Sequence, residues 1–190
     1  MSHITARKIT KGYGGKILFS DLDFRWDRPG IYKVEGASGT GKTTLLRIVA
    51  GLEKADSGDV LTEGKIACIF QEPRLFPEAT LLENAACVTS KKSAKPELYL
   101  KRLGLDGALK TKAANASGGM KQRTSIARAF AAEADIILAD EPFASQDEDN
   151  VVRILSLFEE FAESGGIIVL VSHINRGTYN GIINLDCMKL

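Results

Sequence analysis

The stretch Gly36-Ala37-Ser38-Gly39-Thr40-Gly41-Lys42-Thr43 fits the spacing G-x-x-x-x-G-K-[ST] and constrains this chain more than any other feature. A chain of this composition and length contains roughly 0.02 such matches by chance. Phosphate chemistry explains the spacing. Glycines let consecutive backbone N–H groups converge on anionic oxygens with no Cβ in the way. A helix opening at Lys42 points the positive end of its dipole at the same place. Lys42 adds a point charge near β- and γ-phosphates, and the Thr43 hydroxyl is a hard oxygen ligand for Mg2+. The apolar run Ile31-Tyr32-Lys33-Val34 precedes the loop and reads as a strand, which is the context this mechanism needs.

With 190 residues the chain has room for one compact domain with a subdomain. Residues 4–10, 17–26 and 31–35 read as short strands punctuated by Gly12, Gly14-Gly15 and Pro29-Gly30. A helix is expected over 42–50, then a strand pair over 59–62 and 65–70. Residues 73–115 change character, with Pro73, Pro77 and Pro96 and helix-forming stretches near 80–88 and 97–103. They read as a small helical insertion. From Gly118 the pattern runs helix to about 132, strand 135–139, helix 148–163 and strand 167–171, with a short helix after His173 over 175–180. The two strands are apolar on both faces, as strands are when helices cover both sides of a parallel sheet. The fold class is therefore α/β, with an antiparallel strand region at the front and a helical insert.

The strand 135–139 runs into Asp140-Glu141, two acids at the edge where open α/β sheets bind ligands. Asp140 is placed to hold Mg2+ through water, and Glu141 to orient or deprotonate an attacking water. Ser117 precedes the helix 118–132 and can cap it, while Gly118-Gly119 keep side chains out of the approach. That makes a second anion-facing helix start in a chain with one phosphate loop.

As a set, these residues resemble the ATP-binding subunit of ABC transporters over about residues 3–185. Residues 36–43 look like the Walker A loop of that family, Ile69-Phe70-Gln71-Glu72 like its Q-loop, and Ser117-Gly118-Gly119-Met120-Lys121-Gln122-Arg123 like its signature motif. Residues 136–140 with Glu141 look like Walker B and the catalytic glutamate, Ser145-Gln146-Asp147 like the D-loop, and Val171-Ser172-His173 like the switch histidine. Tyr13 is placed like the aromatic that stacks on adenine. Ala116 and Gln146 stand where leucine is usual, and Ile174 where aspartate is common.

The resemblance implies a P-loop NTPase, RecA-like core over 1–72 and 116–190, with an antiparallel β subdomain, and a helical subdomain over 73–115. It implies that Tyr13, the loop residues Gly36, Ala37, Ser38, Gly39, Thr40, Gly41, Lys42, Thr43 and Thr44, and Ser117, Gly118 and Gly119 bind ATP. Thr43, Gln71 and Asp140 would serve Mg2+. Glu141, His173, Lys42 and Gln71 would serve catalysis. Two copies would face head to tail, each ATP lying between one copy's phosphate loop and the other's signature. The further partners implied are a transmembrane permease and a solute-binding protein, with the chain cytoplasmic and peripheral on the inner face of the membrane.

The stretch Arg74-Leu75-Phe76-Pro77 and the Gly-Met-Lys-Gln-Arg form of the signature are similar to importers of the nitrate, sulfonate and taurine group. By resemblance, residues 73–88 form much of the dock for the permease; Leu75 and Phe76 are equally readable as core of the insert.

Composition excludes rivals. Lys plus Arg is 25 and Asp plus Glu 24, a net charge of +1, which argues against nucleic acid bound by bulk charge. Cys68, Cys87 and Cys187 are far apart and form no C-x-x-C, against a disulfide framework or zinc site. The aliphatic run 167–171 is far too short to span a bilayer. A soluble nucleotide switch that does not drive transport stays open as the alternative. A small-molecule kinase leaves Ser117-Gly118-Gly119 and His173 unexplained.

Overall fold

The computed structural model describes residues 2–90, 93–174 and 177–188, the last two of these without their side chains. β1 (His3–Tyr13) and β2 (Lys16–Trp26) form a long antiparallel hairpin, with Ile4 opposite Trp26 and Tyr13 opposite Lys16. The sheet order is β2-β1-β4, where β4 is Ser57–Glu63. Between them the chain makes β3 (Gly30–Glu35) and helix α1 (Lys42–Val49).

After β4 come β5 (Ile66–Ile69), the short helices α2 (Leu81–Ala86) and α3 (Lys95–Arg102), and α4 (Gly118–Ala131). β6 (Ile136–Asp140), α5 (Glu148–Glu163), β7 (Ile167–Val171) and β8 (Gly181–Asn184) complete the chain, with a 3-10 turn at Leu185–Met188. The second sheet is parallel, in the order β5-β6-β7-β3-β8.

Residues 59–62 and 65–70 are expected to pair with each other and do not. β4 joins the antiparallel sheet beside β1, and β5 crosses to the edge of the parallel sheet beside β6. Only Gly64 and Lys65 separate them, and Gly64 takes φ 120° at this change of sheet. β8 was not expected; its four residues alternate in burial and pair only with β3 at the sheet's far edge. A short helix was expected over 175–180. Asn175 and Arg176 lie outside the described residues, and 177–180 are not helical.

Strand alternation divides the interior into two cores. Ile137, Ala139, Ile168 and Leu170 face one side with α4 and α5, where Phe130, Ile154, Leu157 and Phe158 meet them. Ile136, Leu138, Val169 and Val171 face the other, with α1 and the antiparallel sheet, where Phe19, Leu22, Leu45 and Trp26 meet them. Each such large side chain contributes about 1.5–3 kcal/mol on burial. The helices α2 and α3 pack on α4. Asn84, fully buried in α2, accepts from Phe76 N at 2.7 Å and donates to the carbonyls of Phe76 and Thr80 at 3.0 and 2.9 Å, fixing the loop that precedes the helix. Among the described residues no helix is long and apolar enough to cross a membrane.

Candidate active site

The parallel order puts the ends of β3, β7 and β6 side by side, with β7 in the middle. Each end carries a loop rich in polar groups. After β3 comes the glycine loop, after β6 Asp140-Glu141, and after β7 Ser172-His173. They surround a cleft of about 570 Å3 lined by Tyr13, Ser38, Gly39, Lys42, Thr43, Gln71, Glu141 and His173, among others.

Gly41 caps α1 with φ 100° and offers no side chain to its N–H groups. The first N–H groups of a helix have no partner inside it, so α1 opens with donors to spare. A Cβ on Gly41 would come within 3.0 Å of Leu18, so both conformation and space demand glycine. Lys42 curls back over the loop, its Nζ donating to the carbonyls of Gly36 at 2.7 Å and Ala37 at 2.9 Å. Thr40 is wholly buried and donates to the Ala37 carbonyl at 2.9 Å. The Ala37 N–H is directed to the Asp186 carboxylate, at 3.0 and 3.1 Å, so this donor serves the C-terminal turn. Nothing in the sequence pattern pointed to Asp186, which lies 149 positions away.

Thr43 donates its hydroxyl to Asp140 Oδ2 at 2.7 Å. Burial raises the pKa of Asp140, opposed by the Thr43 hydroxyl, Arg47 and Lys42. Glu141 has φ 48°, a left-handed conformation unusual for a non-glycine residue, and its N–H is anchored on the Val171 carbonyl at 2.9 Å. Its carboxylate stands 3.4 Å from His173 Nε2. Burial raises the pKa of Glu141, opposed mainly by His173. A carboxylate raised in this way is a better proton acceptor at neutral pH than a solvated one. The His173 side chain is 74% exposed, free to meet a ligand in the cleft.

Hard oxygen donors are the set Mg2+ takes, and Thr43 and Asp140 present an adjacent hydroxyl and carboxylate, with phosphate oxygens available to share. Among the described residues no cluster of three or more His, Cys, Asp or Glu makes an all-protein metal cage.

Tyr13 sits at the cleft mouth with its ring half exposed, the hydroxyl donating to Glu53 and Lys11 Nζ 5.0 Å from the ring centroid. Gln71 lines both this cleft and a neighbouring groove of about 530 Å3 walled by Leu46, Arg47, Leu52, Cys68, Phe70 and Arg74. Leu75 packs partly against the core, while Phe76 is 62% exposed. Ser117, Gly118 and Gly119 do not line the cleft. Ser117 is exposed at the start of α4 and accepts from Met120 N at 3.2 Å.

Residues 19–144 match the family model described as ABC transporter. The chain belongs to the ABC transporter family of ATP-binding proteins. It is 37% identical over 189 residues to the aliphatic sulfonates import ATP-binding protein SsuB 2 of Burkholderia cenocepacia, covering 93% of this chain and 69% of that one. It is 35% identical over 195 residues to the lipoprotein-releasing system ATP-binding protein LolD of Porphyromonas gingivalis, covering 90% and 89%. Among solved structures it is similar to the dimeric ATP-binding cassette MJ0796 in a post-hydrolysis state with ADP and Pi. The TM-score is 0.80 at 28% identity, over 90% of this chain and 88% of that one. The ABC cassette is thus an ATPase with an α/β P-loop core, joined to an antiparallel sheet.

Proposed function

We propose that this ABC protein is the ATP-hydrolysing motor of a transporter, working as a head-to-tail pair that drives a separate permease, in the direction of solute uptake. The observation that carries this is the division of the anion-facing groups. Lys42, Thr43, Asp140, Glu141 and His173 converge on one cleft, while the signature residues Ser117, Gly118 and Gly119 stand outside it. A second copy is what brings a signature to each cleft. Ser117 and Gly118 are exposed and leave that helix start open to phosphate.

In this reading Lys42 and the N–H groups opening α1 hold the β- and γ-phosphates, and Tyr13 stacks on adenine. Thr43 and Asp140 hold Mg2+, which screens phosphate charge when bound. Glu141 takes the proton of the attacking water, with His173 and Gln71 positioning the water and the terminal phosphate. Gln71 also borders the neighbouring groove, whose apolar wall and exposed Leu52 suit a permease segment. Core residues 1–72 and 116–190 would hold the chemistry, and 73–115 would carry the docking side. The import direction follows the SsuB relatives; the LolD relative is named for release, so transport by the reconstituted complex decides it.

The test is Glu141→Gln. General-base loss lowers kcat about 10²–10⁴-fold, with ATP still bound. Light scattering of this variant with MgATP should give a dimer that ADP does not support. A variant that stays monomeric at high protein concentration, or turns over like wild type, sinks the reading.

A further inference from the structure

The turn between Glu141 and α5 is fastened to the start of α4 by a single side-chain amide. Gln146 Oε1 accepts from Arg123 Nη1 at 2.7 Å. Its Nε2 donates to the carbonyls of Gly119 and Ala144, both at 3.2 Å. The backbones are pressed together at the same point, since a Cβ on Gly119 would lie 2.8 Å from the Ser145 carbonyl. Ser145 takes φ 59° to make the turn. Asp147, next along, caps α5 by accepting from Asn150 N at 2.9 Å. Arg123 is partly buried and its Nε has no hydrogen-bond partner, so the oxygen of Gln146 is its polar anchor there. Ala144 lines the nucleotide cleft, whereas Gln146 and Gly119 do not. The amide therefore joins a wall of the cleft to the helix start that carries Ser117 and Gly118. An aliphatic side chain at 146 makes none of these bonds.

We propose that Gln146 is a positioning residue that locks the turn 144–147 to the start of α4, so that both meet a second copy of the chain as one preformed surface. Turnover depends on this lock, and nucleotide affinity of the single copy does not. The proposal rests on the two-copy site described above.

The experiment compares Gln146→Leu and the near-isosteric Gln146→Met with wild type in the full chain. It measures kcat and KM for ATP, MgATP affinity by calorimetry, and MgATP-dependent dimerisation of each variant in the Glu141→Gln background. We expect kcat and dimer affinity to fall about fivefold or more, with KM and single-copy ATP affinity within about twofold. Hydrogen exchange at amides 144–147 should quicken in both variants, and both should melt below wild type, because Arg123 loses its acceptor. Wild-type kcat and dimerisation in Gln146→Met overturn the proposal. So does a loss of ATP affinity with kcat unchanged. If Glu141→Gln with Gln146 intact fails to dimerise, the two-copy reading falls and takes this one with it. If it dimerises and Gln146→Met changes nothing, only the positioning role falls.

Discussion

Two helix starts of the chain, those of α1 and α4, are glycine-lined and finished differently. At α1 the Lys42 ammonium and the Thr40 and Thr43 hydroxyls each have an internal partner. Lys42 rests on two carbonyls of its own loop and Thr43 on Asp140. At α4 the Ser117 hydroxyl caps its own helix, and Ser117 and Gly118 are otherwise open to solvent. The first site holds charge that a nucleotide displaces or neutralises. The second carries no acidic residue in its first turn, and offers a helix end worth only about 0.3–1 kcal/mol to an exposed anion. In the proposed two-copy site, affinity would belong to the first and assembly to the second. A weak contact made only when γ-phosphate is present suits a switch better than a strong one.

Lys42→Ala tests that division most severely. A charge-assisted hydrogen bond contributes about 1.5–3 kcal/mol, so ATP affinity should drop about 10–100-fold. Calorimetry with MgATP measures it directly. Unchanged affinity would remove the asymmetry, because the loop would then hold nucleotide without its cation.

Asp140 sharpens the comparison from the stability side. Its folded pKa is raised above the ordinary carboxylate value of 3.8 by burial. A raised carboxylate favours the protonated form, so its contribution to stability is full at low pH and is lost as pH rises through the folded value. At neutral pH the ionised group costs stability until a cation meets it. Asp140→Asn keeps an acceptor for Thr43 and removes that cost. Its melting temperature at pH 7 should exceed wild type by about 2–4 °C for each kcal/mol relieved. The gain should shrink as pH is lowered toward the carboxylate range, while turnover is lost throughout. A variant that melts below wild type at pH 7 would show the carboxylate to be structural.

How much of this was readable beforehand depended on range along the chain. β7 and α5 match the expected 167–171 and 148–163, since unbroken Ile-Ile-Val-Leu-Val and the spacing of Val151, Ile154 and Phe158 are local signals. Most residues lining the cleft were likewise readable, as they sit in short motifs near strand ends; Leu18, inside β2, and Ala144 were not. The partition of β4 and β5 between sheets was not, because a strand's own residues fix its faces and not its neighbour. β8 escaped because Ile182-Ile183 is too brief to show a period. Gln146 read as a departure from leucine and no more. Its meaning lies in Arg123 and Gly119, more than twenty positions earlier.

The smallest effect expected concerns the back of the phosphate loop. Asp186 accepts the Ala37 N–H from outside the cleft, in the turn whose Leu185 is fully buried beside Gly36. The contact holds the loop's first turn, and a partly exposed hydrogen bond contributes about 0.5–1.5 kcal/mol. Asp186→Ala should therefore weaken MgATP binding by about 2–10-fold without altering the pH dependence of turnover, which the proposed mechanism assigns to Glu141. Asp186→Asn keeps an acceptor and removes a negative charge near the phosphates, so it should bind ATP at least as tightly as wild type. Should the Asn variant be the weaker of the two, the carboxylate's charge, and not its hydrogen bond, would be what shapes the loop, and the phosphate site would extend to the C-terminal turn.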